Sequence, residues 1–192
     1  DRPQMGELVK EGDPIWTIAA RAFAGEFASE RLKWISREEF SIGADAFHNW
    51  GAPVVEIYVN GHTKEGKVRN AQRCWSSLFF EIFNSSRYKE NFVIRTEAIN
   101  GKCSRLDYIR RSAKLEYLAQ LQTFAFFKKV WRPRMVLGKT AIPIVWYCLD
   151  AELTFDEWVA SWLKRDGPEG YPYGYFGQRY DQLIAKASKN RR

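Results

Sequence analysis

The chain has 192 residues, of which 45% are hydrophobic, 28% charged and 16% aromatic. This composition is typical of a globular domain with one sizeable core, and it excludes disordered, collagen-like and coiled-coil proteins. The longest apolar run, residues 141–149, contains Pro143 and is too short for a transmembrane helix, which needs about 18 residues. We therefore expect a soluble or peripheral protein.

The net charge of +7 is concentrated in one stretch of the chain. Residues 1–100 carry 13 Lys and Arg against 14 Asp and Glu, and residues 141–192 carry 7 against 7. Residues 101–140 carry 10 against 2. Attraction to an acidic partner is therefore expected from this central block.

In the first half of the chain, two helices and one strand have clear local signals. Asp13 before Pro14 predicts the start of a helix over about 13–24. The mixed segment 26–51 is assigned as helical. Residues 53–59 are rich in β-branched side chains and predict a strand. Apolar residues recur every three to four positions over 68–83, which predicts an amphipathic helix.

Residues 92–99 are followed by Asn100-Gly101, the pair best suited to a type I′ hairpin turn. We therefore favour a strand at 92–99, with an uncertain return strand over 102–109. The competing interpretation starts a helix at Ser104. An apolar stripe over 113–127 predicts a further helix, which Pro133 would end.

Residues 135–148 predict extended structure, confined by Pro143 to an edge or a bulge. Thr154 and Glu157 have the spacing of a capping box, which predicts the start of a helix. An aromatic loop is predicted at 171–177. The last predicted helix covers about 178–187.

These elements predict one α+β domain over residues 1–192. Its small sheet would contain strands near 53–59, 92–99 and 135–148, packed with several amphipathic helices. A short basic C-terminal tail would occupy about 186–192. The sequence shows no internal repeat and no low-complexity linker.

The central block supplies the first set of candidate partner-binding residues. Several cations on one face could attract phosphates or carboxylates, whereas the simpler interpretation is a solvated helix face. Four interleaved aromatic residues, Tyr108, Phe126, Phe127 and Trp131, could stack on bases, although helical spacing suits a core equally well. The candidate cations are Arg105, Arg110, Arg111, Lys114, Lys128, Lys129, Arg132 and Arg134.

The aromatic loop supplies the second set of candidates. Tyrosine and tryptophan provide rigid contact area at interfaces, and the chain has eight tryptophans. The alternative is a loop folded over the chain's own core. The candidate residues are Tyr171, Tyr173, Tyr175 and Phe176.

Signals for catalysis, metals and cofactors are weak. Three cysteines and two histidines do not match a disulfide scaffold or a His-rich metal site. The chain has no nucleophile elbow, P-loop or dinucleotide-binding motif, so we assign no catalytic residue, metal or cofactor. Asp150 and Glu152 are the weak candidates for an acid-base pair.

Two short modification motifs also occur. Asn84-Ser85-Ser86 is a glycosylation sequon, and Arg110-Arg111-Ser112 has the form of a kinase site. Such triplets often arise by chance.

The leading hypothesis is a non-enzymatic basic module or accessory subunit that docks on an acidic protein surface or larger assembly. The basic face 105–134 would attract the partner, and the loop 171–176 would anchor it. Changing Arg110, Arg111 and Lys114 to Glu should then abolish copurification of the partner.

Two other functions stay open. One is nucleic-acid binding by the same face, with an anionic membrane as another candidate partner. The other is an enzyme of unidentified class acting on an anionic substrate. A chain beginning at Asp1 fits an exported or organelle-imported mature product or a trimmed sequence, so the compartment stays open.

Overall fold

A computed structural model describes residues 32–35, 46–49, 56–60, 66–67, 71–132, 146 and 153–190. The chain divides into two compact units. Unit 1 comprises Asp1–Ser86 and Leu121–Leu149, and unit 2 comprises Arg87–Gln120 and Asp150–Arg192. Each unit is described separately below.

Unit 1 contains a three-stranded sheet in the order β1-β3-β2. The strands are β1 (Leu32–Ile35), β2 (Ala46–Asn49) and β3 (Glu56–Asn60). The central strand β3 is parallel to β1 and antiparallel to β2. Ile57 in β3 is completely buried, so the sheet contributes to the core of this unit.

Helix α1 (Ala71–Ser85) places a row of aromatic rings in unit 1. Trp75, Phe79 and Phe83 recur four residues apart and are all buried, because this spacing puts them on one face of a helix. The Phe79 ring stacks on Phe126 with centroids 4.0 Å apart. The helix predicted over 68–83 is thus confirmed.

The regular elements among the described residues of unit 2 are all helices. Helix α2 (Tyr88–Ile99) is followed by α3 (Arg105–Phe126), whose last turns beyond Gln120 belong to unit 1. A π-helical segment (Phe127–Trp131) continues α3. Helices α4 (Phe155–Asp166) and α5 (Tyr173–Lys189) complete the described elements.

The capping box at the start of α4 is confirmed. The Glu157 backbone N–H donates to the Thr154 hydroxyl oxygen at 3.4 Å, and the Glu157 carboxylate accepts from the Thr154 backbone N–H at 2.8 Å. This pattern satisfies backbone donors that the first helical turn leaves free.

The predicted α+β fold class is wrong, because the described residues are mostly helical. Of the three strands proposed for the sheet, residues 92–99 belong to α2. Residues 53–59 overlap β3, whose sheet partners β1 and β2 come from the segment 26–51 that was assigned as helical. The proposed strand 135–148 lies outside the described residues, apart from Trp146.

Helix α2 forms where a hairpin was predicted because Asn100-Gly101 ends a helix. Gly101 has a φ of 71°, the left-handed conformation that glycine adopts easily. The Lys102 N–H donates to the Glu97 carbonyl oxygen at 2.8 Å, closing the last turn. The competing interpretation at Ser104 is confirmed, since its hydroxyl accepts from the Asp107 N–H at 3.1 Å at the start of α3.

Two further element boundaries differ from the predictions. Helix α3 starts at Arg105, eight residues before the predicted position 113. Helix α5 starts at Tyr173, so much of the predicted aromatic loop is the first turn of a helix. The predicted helix 13–24 lies outside the described residues.

Candidate interaction surfaces

Arg105 in the predicted basic face is bound to a carboxylate of the same unit. Its Nε and Nη2 atoms donate to Asp181 Oδ1 and Oδ2 at 3.0 and 3.1 Å. These bonds lower the pKa of the Asp181 carboxyl and raise the pKa of Arg105. A Cβ at Gly177 would lie 2.4 Å from Arg105 Nη2, so glycine leaves room for the guanidinium against α5.

Arg111 and Arg110 also meet acidic side chains of unit 2. Arg111 Nη1 donates to Glu97 and lies 3.4 Å from Asp107 Oδ2, and the bond to Glu97 raises the pKa of Arg111. Arg110 Nη2 lies 3.6 Å from Asp156 Oδ1. The three arginines Arg105, Arg110 and Arg111, here called the paired arginines, therefore connect elements of their own unit.

Lys114 is exposed, and its charge lies against two aromatic rings. Its Nζ atom is 4.8 Å from the centroid of the Tyr117 ring and 4.6 Å from that of Phe155. A cation over a ring face is attracted by the ring quadrupole. Lys114 therefore helps to hold α4 against α3.

The remaining described cations of the basic block form a different arrangement in unit 1. Lys128, Lys129 and Arg132, here called the cation cluster, lie on and just after the π-helical segment, and all three are exposed. Lys128 Nζ lies 4.5 Å from the centroid of the Phe124 ring. Lys129 and Arg132 make no ion pair with any described residue. Arg134 lies outside the described residues.

The π-helical segment that carries these cations is anchored by buried aromatic side chains. Phe126, Phe127 and Trp131 are all buried, and the rings of Phe127 and Trp131 lie 5.2 and 4.7 Å from Trp146. Tyr108 in unit 2 is buried as well. Within the described structure, these four aromatic residues are core side chains and offer no face to a nucleic-acid base.

The aromatic segment 171–176 is mostly folded into unit 2. Phe176 is buried, Tyr173 is half-buried, and the hydroxyl of the half-buried Tyr171 donates to the Glu116 carboxylate. The Tyr171 ring also packs on Trp162 with centroids 4.5 Å apart. Tyr175 is 41% exposed, and the Arg179 guanidinium lies 4.9 Å from its ring centroid.

The sequence analysis missed a surface further along α5. Arg179, Lys186 and Lys189 are all exposed on this helix. Their spacing of seven and three residues would have revealed a common helical face, but the basic block dominated the charge count.

Cys74 and Cys103 are buried, and Cys103 is a free thiol. Cys103 Sγ donates to Asp107 Oδ2 at 3.2 Å. Burial together with this bond raises the pKa of Cys103 to about 11, so the group is a thiol at neutral pH and a poor nucleophile. Cys148 lies outside the described residues.

The weaker chemical candidates are placed as follows. Glu157 is held by Thr154, whose hydrogen bonds lower the pKa of this carboxyl. Asp150, Glu152 and His62 lie outside the described residues, and His48 lies in β2 opposite Ile57. The described residues contain no group of three or more metal-ligating side chains close enough to hold an ion.

Both modification motifs are inaccessible in the folded chain. Asn84 and Ser85 of the sequon are buried, and Ser112 of the kinase motif is 2% exposed. An enzyme that modifies these side chains would need the surrounding helix to open.

None of the described helices is long and apolar enough to cross a bilayer. No protein-family model, curated protein or solved structure matches this chain.

Proposed function

We propose that this protein is a non-enzymatic interaction module that docks on an acidic protein surface of a larger assembly. The observation that carries the proposal is the cation cluster in unit 1. Lys129 and Arg132 are exposed and have no carboxylate partner in the described structure. An incoming carboxylate would therefore meet them without breaking an ion pair to any described residue.

The shape of the cluster supports a compact acidic patch as the target. Its three cations lie within five consecutive residues, which corresponds to little more than one helical turn. The buried rings of Phe127 and Trp131 fix the backbone of the segment, so little backbone freedom is lost when a partner binds. The neighbouring aromatic residues are buried, which disfavours binding by base stacking.

The paired arginines make a poor test of docking. Glutamate at Arg110 or Arg111 would place a carboxylate beside Asp156 or beside Glu97 and Asp107. Like charges at these distances oppose folding of unit 2. Loss of a partner from the variant with Arg110, Arg111 and Lys114 changed to Glu would therefore report damage to the fold as readily as damage to a surface.

The cation cluster provides the cleaner experiment. We would express the untagged chain in its native source and run size-exclusion chromatography at low and high salt, with mass spectrometry and absorbance at 260 nm on each fraction. We expect a large, protein-rich species at low salt that releases the chain at high salt, because salt screens exposed charges. The variant Lys129→Glu/Arg132→Glu should elute free at low salt.

A matched control is Lys67→Glu/Lys102→Glu, which changes the net charge equally at two other exposed lysines. It should remain in the large species. Retention of the cluster variant, or a wild-type chain that elutes alone at low salt, would overturn the proposal. A large species that absorbs strongly at 260 nm and that the cluster variant fails to enter would instead favour nucleic acid as the partner of the cation cluster.

A further inference from the structure

Helix α5 in unit 2 has one continuous exposed face. Its residues follow one another at intervals of one, three or four positions, which places them on the same side of a helix. All six are exposed. This outer face of α5 consists of Tyr175, Gln178, Arg179, Gln182, Lys186 and Lys189.

The opposite side of α5 attaches the helix to its unit. Phe176 and Gly177 are buried, and the Tyr180 ring packs on Tyr108 with centroids 5.4 Å apart. Asp181 accepts the two hydrogen bonds from Arg105. These contacts fix the rotation of the helix about its axis, so the outer face points away from the rest of unit 2.

The outer face carries three cations, and the exposed carboxylate at its edge, Asp181, already accepts hydrogen bonds from Arg105. Asp181 is the one acidic residue between Tyr173 and Lys189, and it is bound to Arg105. Arg179, Lys186 and Lys189 form no ion pair with the described residues. Elsewhere in unit 2, Arg165 pairs with Asp166 at 2.8 Å, as the paired arginines do with their own carboxylates.

Part of this pattern has a purely structural reason. Lys186 and Lys189 lie in the last turn of α5, where cations offset the helix dipole. That reason does not apply to Arg179, which lies in the second turn. It also does not explain why the two other polar residues of the face are neutral glutamines.

The charges of the outer face are arranged as a row. Arg179 and Lys189 are ten residues apart, which corresponds to about 15 Å along a helix. One strand of a nucleic-acid duplex carries a phosphate for every 3.4 Å of its axis, so a row of this length can lie beside more than one phosphate of a strand. The cation cluster of unit 1, by contrast, is compact and suits a localised acidic patch.

We propose that the outer face of α5 binds the phosphodiester backbone of a nucleic-acid duplex. Arginine, lysine, glutamine and tyrosine are the residue types that hydrogen-bond to phosphate oxygens. The Arg179 guanidinium lies 4.9 Å from the centroid of the Tyr175 ring, which restricts its position before a ligand arrives. This proposal is independent of the docking function, because it concerns other residues in the other unit.

The test is a fluorescence-anisotropy titration of the full chain with labelled 20-base-pair duplexes of DNA and of RNA, at about 50 and about 200 mM salt. Binding should weaken steeply with salt, because phosphate contacts release counterions. The variant Arg179→Gln/Lys186→Gln/Lys189→Gln should bind at least about tenfold more weakly at the lower salt. Its slope of log K against log salt should fall by about 2.7, or about 0.9 per contact.

A control variant must remove the same charge elsewhere. Lys67→Gln/Lys102→Gln/Lys164→Gln also removes three exposed cations and should keep affinity within about threefold and leave the slope unchanged. The single change Arg179→Gln, which leaves the last turn of α5 intact, should lower the slope by about 0.9. It keeps the test decisive if the triple variant folds poorly.

Equal binding of the two duplexes would indicate recognition of the shared phosphate backbone, and preference for one would identify the source as RNA or DNA. No binding by the wild type would overturn the proposal. Equal losses in the triple variant and its control would do the same, as would tighter binding to polyglutamate than to either duplex.

Discussion

The described parts of the two units differ in whether the N–H and O–H groups of their aromatic side chains have hydrogen-bond acceptors. In unit 2, the Tyr117 hydroxyl donates to the Leu153 carbonyl oxygen at 2.7 Å, and the buried Trp158 Nε1 donates to Gln120 Oε1 at 2.8 Å. In unit 1, Trp131 Nε1 and Trp146 Nε1 are buried without an acceptor among the described residues. In unit 2, these two aromatic side chains combine ring packing with a hydrogen bond, whereas the two indoles of unit 1 are held by ring packing among the described residues.

The cations follow the same division. The paired arginines of unit 2 bond to carboxylates from other parts of that unit and so contribute to its internal geometry. The cation cluster of unit 1 lies on a segment anchored by the buried rings of Phe127 and Trp131. No described carboxylate pairs with Lys129 or Arg132. Exposed arginines that already have a carboxylate partner add little to stability and are less open to a new partner, whereas Lys129 and Arg132 can meet a partner's carboxylates directly.

The largest effect is expected from removing a ring from the unit 1 core. Phe79 is 1% exposed and contacts Trp75, Phe83 and Phe126, so Phe79→Ala leaves a cavity that its neighbours fill only partly. We expect a loss of about 3–5 kcal/mol in the free energy of unfolding, measured by urea denaturation. Phe92→Ala, at a side chain that is 57% exposed, should change it by less than about 0.5 kcal/mol. Similar losses in both variants would contradict a core built on these rings.

A tryptophan-to-phenylalanine change in each unit tests the comparison directly. Trp158→Phe removes the N–H that donates to Gln120 and leaves the buried amide oxygen of Gln120 without a donor. This should lower the free energy of unfolding by about 1–3 kcal/mol beyond the effect of the lost ring volume. Trp131→Phe removes an N–H that has no described acceptor, so only ring volume is lost. We expect urea denaturation to show the larger loss for Trp158→Phe.

The second variant of that experiment isolates the hydrogen bond. Adding Gln120→Leu to Trp158→Phe removes the unsatisfied oxygen and should recover part of the lost stability. No recovery, together with equal losses for Trp158→Phe and Trp131→Phe, would show that packing alone governs both units.

Local patterns were sufficient where a signal and its outcome lie in the same segment. The periodic apolar face of α1 and the capping box at Thr154 were both predicted correctly, because neighbours three or four residues apart determine them. The segment 92–99 was predicted wrongly, since Asn100-Gly101 can close a hairpin or end a helix. Its helical outcome includes the pairing of Glu97 with Arg111, which no local pattern reveals.

The candidate surfaces were harder to predict for the same reason. Charge counting located the basic block but could not show that Arg105 bonds to Asp181, which lies 76 residues further along the chain. Aromatic content suggested a loop at 171–176 but could not show that Phe176 turns inward. Such long-range pairings decide which charges and rings stay available at the surface.

The smallest effect, and the most specific one, is the pH dependence of the Arg105–Asp181 pair. Hydrogen bonds from Arg105 lower the pKa of Asp181 below its ordinary value of 3.8. The unfolded chain therefore takes up this proton first as the pH falls. The pair stabilises the fold above pH 3.8 and loses that contribution as the pH falls through the lower pKa of the folded state. Both groups are exposed, so the contribution is small.

Arg105→Gln should lower the urea midpoint at about pH 6, and its difference from the wild type should shrink as the pH falls below 3.8 through the lowered pKa of folded Asp181. Arg132→Gln removes a guanidinium that has no described carboxylate partner, so its small difference from the wild type should not depend on pH in this range. Parallel pH profiles for the two variants would mean that Arg105 does not lower the pKa of Asp181. A pH-dependent difference at Arg132 would reveal a carboxylate beside the cation cluster, and the site proposed for docking would then already be neutralised.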